Sequence, residues 1–363
     1  MDPVGDAVQR ERFLQLIGGQ RRGWWPTLLR AGLWLLSLGY GIGIRLRNLA
    51  YDRGWLRVHR AAVPVVSVGN LSVGGTGKTP FVEYVARFFR ERDHLVALLS
   101  RGYGADTQGG TSRNDEAMVL EENLPDVPHL QGADRVALAA TAVEECESEV
   151  LVLDDGFQHR RLARDLDIVL LDATAPLDHL LPRGLLREPL SSLHRAHAIV
   201  LTRCDQSDQV PNLRARLERR FPGKPIAECI HAPVTLANTT TEQPLDALTA
   251  RPIAAFCGLG NPEAFRRTLT DLGARMSDFR TYPDHYVYTR DDVDVLARWA
   301  ATQPADAWLV TTQKDFVKLR IDQLGGRPLW SLRVSVQFRD GKERLDALLA
   351  RVLDDPGQGG PSL

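Results

Sequence analysis

Cysteine is scarce in this chain. Its 363 residues contain four (Cys146, Cys204, Cys229 and Cys257), scattered, with no C-x-x-C spacing and no paired histidines beside them. That excludes a disulfide framework and a structural zinc and fits a reducing compartment. Net charge is almost absent, at −1, which argues against a general nucleic-acid binder. There is no internal repeat and no long low-complexity segment; only the tail from Asp355 to Leu363 has the Gly/Pro/Ser composition of a frayed end. A long apolar run is missing too. The uncharged stretch Ala31–Ile44 has 14 residues, against the roughly 20 needed to span a bilayer. No small-residue cleavage site is convincingly placed after it, which argues against a signal peptide. The sharpest shortage is lysine, with five against 40 arginines. Lys78 is the only lysine in the first 223 residues.

Lys78 stands in the stretch around which the rest is organised, Val63–Arg90. A β-branched run (Val63, Val65, Val66, Val68) reads as a strand. Gly74-Gly75-Thr76-Gly77-Lys78-Thr79 follows, and then Phe81, Val82, Val85, Phe88 and Phe89 recur at helical spacing. Strand, glycine turn and amphipathic helix in that order are the context of a phosphate-binding loop. The glycines let backbone N–H groups turn inward on phosphate, and the helix N-terminus adds partial positive charge. Lys78 is expected to reach the β- and γ-phosphates of a nucleotide and the Thr79 hydroxyl to ligate Mg²⁺. Pro80 suits a first helical turn. Ser72 stands where the usual pattern has glycine. A compact ammonium kept in an arginine-writing chain supports the phosphate reading over an incidental glycine turn.

The region before the loop is basic and aromatic. Residues 1–62 hold ten arginines and four acids, a net +6 that leaves −7 for the remainder. Trp24–Ile44 is almost wholly apolar, and Trp24, Trp25, Trp34 and Trp55 all precede residue 56. With Arg21, Arg22, Arg45 and Arg47 at its flanks, this segment is expected to be a helical arm on a membrane surface, residues 1–62, packed on the next domain. A plain buried helix is the alternative.

From Val63 to about Glu228 short Val/Leu/Ile-rich strands alternate with helices, as in a parallel sheet buried on both faces. Length and 44% hydrophobic content allow two domains. The expected fold is α/β: a P-loop NTPase-like, mostly parallel sheet with helices on both faces over 63–228, a linker at 229–251, and a second, smaller α/β domain over 252–363. Val150–Leu153 runs into Asp154-Asp155-Gly156, where an acid in such a fold holds Mg²⁺ directly or through water; a turn aspartate is the weaker reading. Asp172, at the end of another strand, is expected to be structural. Thr202-Arg203-Cys204-Asp205 is too weak a match to a guanine-reading loop to assign a base. Spacing alone gives His285, in a loop, no more than a solvated role.

Taken together these motifs resemble the tetraacyldisaccharide 4′-kinases, ATP-dependent lipid A kinases of Gram-negative bacteria. The resemblance runs from about Ile44 to Lys318 through RLRNLAYDRG (Arg45–Gly54), SVGNLSVGGTGKTP (Ser67–Pro80), SRGYG (Ser100–Gly104) and NDEA (Asn114–Ala117). It continues through LDDGFQHRRLARDLDIVLLDA (Leu153–Ala173), LPRGLLREPL (Leu181–Leu190), GLGNPEAF (Gly258–Phe265), YPDH (Tyr282–His285) and TTQKDFVKL (Thr311–Leu319). Asn114, Ala117, Tyr286 and Gln313 depart from the family pattern, while Ser72 agrees with it.

The resemblance implies roles that spacing does not. Asp115 would contact the acceptor hydroxyl and act as base, with His285 as its partner, in a cleft between the domains. Arg187 would sit near the transferring phosphate and Glu188 near Mg²⁺, with Thr79 and Asp154 or Asp155. The implied cofactors are ATP and Mg²⁺. The implied substrate is an acylated glucosamine disaccharide lipid, phosphorylated at its 4′-hydroxyl by a monomer on the cytoplasmic face of the bacterial inner membrane. No nucleic acid is expected. Two rival readings stand beside it: a membrane-associated P-loop switch or metallochaperone, and a soluble small-metabolite kinase.

Overall fold

The computed structural model describes residues 13, 15–102 and 115–354. Residues 1–12 of the arm, Tyr103-Gly104, Asn114 and the tail from Asp355 lie outside the described residues.

In chain order the principal elements begin with α1 (Trp24–Asp52), β1 (Val65–Asn70), α2 (Lys78–Arg90), β2 (Val96–Ser100) and α3 (Asp115–Asn123). Next come β3 (His129–Gln131), α4 (Arg135–Glu144), β4 (Val150–Asp154), β5 (Leu166–Asp172), β6 (Ala198–Thr202), α5 (Val210–Arg220) and β7 (Ile226–Ala237). The chain then forms β8 (Pro252–Cys257), α6 (Pro262–Asp271), β9 (Arg275–Thr281), α7 (Arg290–Ala301) and β10 (Trp308–Thr312). It closes with α8 (Gln313–Leu319), β11 (Arg327–Asp340) and α9 (Lys342–Asp354).

The chain folds as two compact units that are not contiguous in sequence. Of the described residues, the larger contains 15–102, 124–231 and 336–354 with residue 13; the smaller contains 115–123 and 232–335. This differs from the expected division at 229–251. The presumed linker carries the second half of β7, so the chain passes from one unit to the other inside a strand. It returns inside β11, and α9 belongs to the larger unit.

In the larger unit the strands run β7-β6-β5-β1-β4-β2-β3, and the pairings along that order are parallel. Every residue of β1, β2, β4, β5 and β6 is buried, as strands covered on both faces require. The α2 helix buries the face read from its spacing, Phe81, Val82, Val85, Phe88 and Phe89. Each such side chain is worth about 1.5–3 kcal/mol of hydrophobic stabilisation. Register places Val68 of β1 beside Asp154 of β4, so the glycine loop after β1 and the acids after β4 leave the same end of the sheet. Ligands gather at that edge in open α/β sheets.

In the smaller unit β9-β8-β10-β11 form a second set of parallel pairs. One core, with Phe256, Leu296, Trp299 and Phe316, lies under α7 and α8. The other, with Leu269, Val310 and Trp330, lies under α6. The GLGNP turn has a mechanical explanation. The Gly258 N–H donates to Asp315 Oδ2 at 2.9 Å, and a Cβ on Gly258 would stand 2.9 Å from the other oxygen of that carboxylate. Asn261 then caps α6 and Pro262 opens it.

The arm is one helix of 29 residues, α1, not a short interrupted segment. Arg30 and the glycines do not break it. The helix is long and apolar enough to cross a membrane by length and composition. Only Ser37 and Gly41 are buried, while Trp24, Trp25, Leu28, Trp34, Leu35 and Ile42 are among the exposed apolar side chains.

Candidate active site

The glycine loop is built from its backbone outward. Gly77 adopts the left-handed conformation (φ 75°, ψ 33°) and hands the chain to α2 at Lys78. The Asn70 side chain at the end of β1 donates to Ser72 O at 2.9 Å and to Thr76 Oγ1 at 3.1 Å. Thr202 at the end of β6, Arg203 just after it and His231 within β7 brace the loop. Thr202 Oγ1 donates to Thr76 O at 3.0 Å, and Arg203 Nη2 donates to Gly75 O at 2.7 Å. The His231 ring occupies the space where a Cβ on Gly77 would go, so that glycine is required twice over. Asp172, 2.5 Å from Arg203 Nη1, holds that strut, which is the structural role expected of it.

Next to the loop stands a chain of alternating charge. Lys78 Nζ lies 3.4 Å from Asp155 Oδ1, and Arg187 Nη1 lies 2.7 Å from Asp155 Oδ2. Burial works to raise the Asp155 pKa, but the Lys78 and Arg187 cations outweigh it and hold the carboxyl below its ordinary value. Asp155 takes a left-handed φ of 54°. Gly156 follows it with no room for a Cβ, Ser67 Oγ being 2.6 Å away. Gln158 then reaches back to Asn70 O at 3.0 Å. Lys78, Asp155 and Arg187 are therefore brought together, with Gly74, Gly75, Thr76, Gly77 and Thr79 on the same loop.

The expected metal ligands divide. The Thr79 hydroxyl and the Asp154 and Asp155 carboxylates are hard oxygen donors of the kind Mg²⁺ takes. Thr79 and Asp154 are buried where the loop and β4 end. Among the described residues no three His, Cys, Asp or Glu side chains form a ready-made cage. Mg²⁺ is held by one or two carboxylates together with substrate phosphates and water. Glu188 has protein partners of its own. It is fully buried, both its oxygens accept from Arg195 (2.8 and 2.9 Å), and Oε2 also accepts from Asn48 at 2.9 Å. These contacts join α1 to the loop carrying Arg187.

Arg45–Gly54, which spacing left without a function, acts through this anchor. Tyr40 OH donates to Arg187 O at 2.9 Å, and Arg47 Nη2 donates to Gln158 O at 2.7 Å. Arg160 reaches Asn48 O at 3.1 Å and Asp52 at 2.6 Å. One side of α1 is thus tied to both loops that carry the phosphate-handling cations and acids.

The smaller unit holds a second cluster. Asp115, at the start of α3, receives two cations on one oxygen: His285 Nδ1 at 3.1 Å and Lys318 Nζ at 2.7 Å, both from Oδ2. His285 has a positive φ of 58° in its loop. Hydrogen bonding to Asp115 raises the His285 pKa. For Asp115, burial pushes upward, but the hydrogen bonds from His285 and Lys318 prevail and keep it ionised below the usual range. Lys318 comes from α8, which sequence reading missed. That helix is seven residues long, too short to show a period, though Thr312 caps it through the Asp315 N–H. Gln313, one of the departures from the family pattern, bonds Asn123 of α3 at 2.6 Å. Arg203, His231, Tyr40 and Lys318 are the site residues that sequence reading did not single out; the scarcity of lysine was a usable signal for the last.

Comparison with known proteins places the whole chain. The model of the tetraacyldisaccharide-1-P 4′-kinase family matches residues 29–354. The chain is 42% identical over 349 residues to the tetraacyldisaccharide 4′-kinase of Anaeromyxobacter sp. (strain Fw109-5), covering 90% of this chain and 92% of that one. It is 36% identical over 339 residues to that of Aquifex aeolicus (strain VF5), covering 90% and 99%. The crystal structure of LpxK from Aquifex aeolicus in complex with ATP is similar with a TM-score of 0.73, covering 89% of this chain and 99% of that one.

Proposed function

The chain belongs to the tetraacyldisaccharide 4′-kinases, and from that premise we propose which of its residues carry the reaction and where. The enzyme transfers a phosphoryl group from ATP to the 4′ position of a tetraacyldisaccharide 1-phosphate, a step of lipid A biosynthesis. The glycine loop cradles the phosphates with backbone N–H groups from Gly74 to Lys78, while Lys78 and Arg187 meet the charge of the γ-phosphoryl group. Thr79 and Asp154 are assigned to Mg²⁺, which when bound neutralises phosphate charge. Asp155 holds Lys78 and Arg187 at fixed spacing. A sugar hydroxyl is a poor nucleophile at neutral pH, and Asp115 is assigned as the base that takes its proton as attack proceeds, with His285 as its orienting partner.

What supports this division is the charge ordering. The cations at the loop converge on the Asp155 carboxylate and so are already collected where phosphate is to be received. Asp115 is kept anionic, and so able to accept a proton, by two cations of its own.

The acceptor is a lipid, and α1 supplies the membrane contact. Its exposed Trp24, Trp25, Trp34, Leu35 and Leu36 suit headgroup depth. Although the helix is long enough to span, Tyr40, Arg47 and Asn48 tie its C-terminal half to the protein. We therefore place α1 on the cytoplasmic surface of the inner membrane and not across it. The switch or metallochaperone reading leaves Asp115, His285 and Lys318 without work. Incubation with ATP-Mg²⁺ and the tetraacyldisaccharide 1-phosphate separates the readings. The kinase makes a 4′-phosphorylated product, and Lys78→Ala and Asp115→Ala each lower its formation by about 10²-fold or more. Hydrolysis that needs a protein partner and yields no phosphorylated lipid would support the switch instead.

A further inference from the structure

The Asp115 cluster contains more than an acid and a histidine. Lys318 is only 8% exposed, buried deeper than the carboxylate it serves, and its Nζ is 2.7 Å from Asp115 Oδ2. Behind it, at 3.9 Å, lies Asp315, fully buried. Gly258 N–H, Thr312 Oγ1 and Tyr288 OH all donate to Asp315 and fix it in place. On the other side of Asp115, His285 faces Asp284 at 3.9 Å through Nε2. Charge therefore alternates along Asp315, Lys318, Asp115, His285 and Asp284. Of the other charged groups on α3 and α8, Lys314 and Glu116 pair with one another at 3.2 Å, Glu122 pairs with Arg333 at 2.8 Å, and Glu121 also lies on α3. Both cations make their closest approach to Asp115 at Oδ2.

We propose that Lys318 is a positioning residue for phosphoryl transfer: with His285 it claims Oδ2, leaves Oδ1 for the acceptor hydroxyl, and keeps Asp115 ionised in the acid part of the working range. The inference rests on Asp115 being the base. The step balances without the lysine moving a proton. The hydroxyl O–H bond breaks and its proton goes to Asp115 Oδ1; the sugar oxygen bonds to the γ-phosphorus. The bond from that phosphorus to the β–γ bridging oxygen breaks, ADP leaves with the electron pair, and Asp115 returns its proton to water. Lys318 acts on the carboxylate alone. Lysine suits this position because a compact ammonium can be buried against a single oxygen, whereas a guanidinium fork is built for two. In a chain of 40 arginines and five lysines, Lys78 stands at the loop and Lys314 and Lys318 stand here.

The test is the pH profile of kcat/KM for the lipid acceptor. An opposite charge at contact distance moves a carboxylate by about 1–3 units. Lys318→Met is therefore expected to move the acid limb upward by about one unit or more, a tenfold loss on that limb. The loss on the alkaline plateau is smaller than the loss on the acid limb, and the KM for ATP stays within about threefold. Lys318→Arg, which keeps the charge but spreads it, returns the limb to within about half a unit of wild type even where kcat falls. A loss of equal size at every pH, or an unmoved limb, overturns the proposal. Lys318→Gln replaces Lys318→Met if the latter does not fold; if neither folds, the lysine is structural and the proposal falls. Asp115→Asn, measured in parallel, separates the two levels. If it transfers phosphate like wild type, the base assignment itself fails. If it is inactive while Lys318→Met keeps the wild-type profile, only the part given to Lys318 fails.

Discussion

The two charged clusters are written into the chain in opposite ways. The phosphate loop is local: Asn70, the glycines, Lys78 and Thr79 follow one another within a single strand–turn–helix, and its geometry needs only that this stretch fold as its pattern dictates. The Asp115 cluster is assembled at long range, with His285 lying 170 residues from its carboxylate partner. Lys314 and Glu116 beside it are 198 residues apart. A local site announces itself because backbone conformation, phosphate chemistry and sequence spacing are one constraint. A site built across the chain leaves only single residues, each of which on its own reads as solvated charge.

That difference sets the order of the mutational effects. Lys78→Ala and Asp115→Ala both remove most turnover, yet they are expected to fail differently. Loss of Lys78 takes a cation from the phosphates in ground and transition states alike and weakens ATP binding as well as kcat. Loss of Asp115 lowers kcat by about 10²–10⁴-fold while ATP binding, read by calorimetry, stays near wild type. If Asp115→Ala weakens ATP binding as much as Lys78→Ala does, the assignment of separate tasks to the two clusters is broken.

Glu188 gives the next largest effect, on stability and not on chemistry. Resemblance suggested a place near the metal, and in the structure Arg195 and Asn48 hold its carboxylate. Burial alone would raise its pKa, and the Arg195 contacts bring it below the ordinary value. Removing one member of a buried pair leaves the other charge uncompensated, at about 3–5 kcal/mol. Glu188→Ala is expected to lose stability on that scale in urea unfolding, and to do so in Mg²⁺-free buffer. A variant as stable as wild type, with its loss confined to the Mg²⁺ dependence of turnover, would return Glu188 to the metal.

Most of the larger unit could be read from the chain because strands buried on both faces are nearly continuous apolar runs. The expected strands at 63–68 and 150–153 each fall within about two residues of one found. What escaped was short or continued past its pattern: β3, with three residues, α8, with seven, and β7, which stays in strand conformation to Ala237 although its outer half is mixed in polarity. At the site, the loop and the Asp154-Asp155 pair were legible because strand ends expose whatever follows them. Asp115 and Arg187-Glu188 were not, since nothing nearby in sequence distinguishes them from surface charge. The arm lies between these cases. Its apolar character was plain, but its unbroken length and the docking of Arg47 and Asn48 depend on partners more than a hundred residues away.

The exposed face of α1 sharpens the comparison from outside both clusters. Replacing Trp24, Leu28 and Leu35 together by serine removes exposed apolar surface, so the fold and ATP binding should be unchanged. Sedimentation with anionic vesicles is expected to drop several-fold. Undiminished vesicle binding would remove the membrane contact from this face.

The smallest effect comes from the most exposed member of the second cluster. His285 has a side chain 61% exposed, so its pair with Asp115 is screened and is worth no more than about 1 kcal/mol. The pH dependence still has a definite sign. The His285 pKa is raised above its ordinary value of 6.5, so its contribution is complete below that pH and is lost as pH rises through the folded-state value. Asp115 is lowered from 3.8, so its contribution is complete above that pH and is lost as pH falls through its own folded-state value. The stability gap between wild type and His285→Asn should therefore be widest from about pH 4 to 6.5 and narrow toward pH 9. Urea unfolding of both proteins at pH 5.5 and pH 9 measures it. A gap of equal size at the two values would mean that His285 supports the cluster by packing alone, and that its charge does nothing for Asp115.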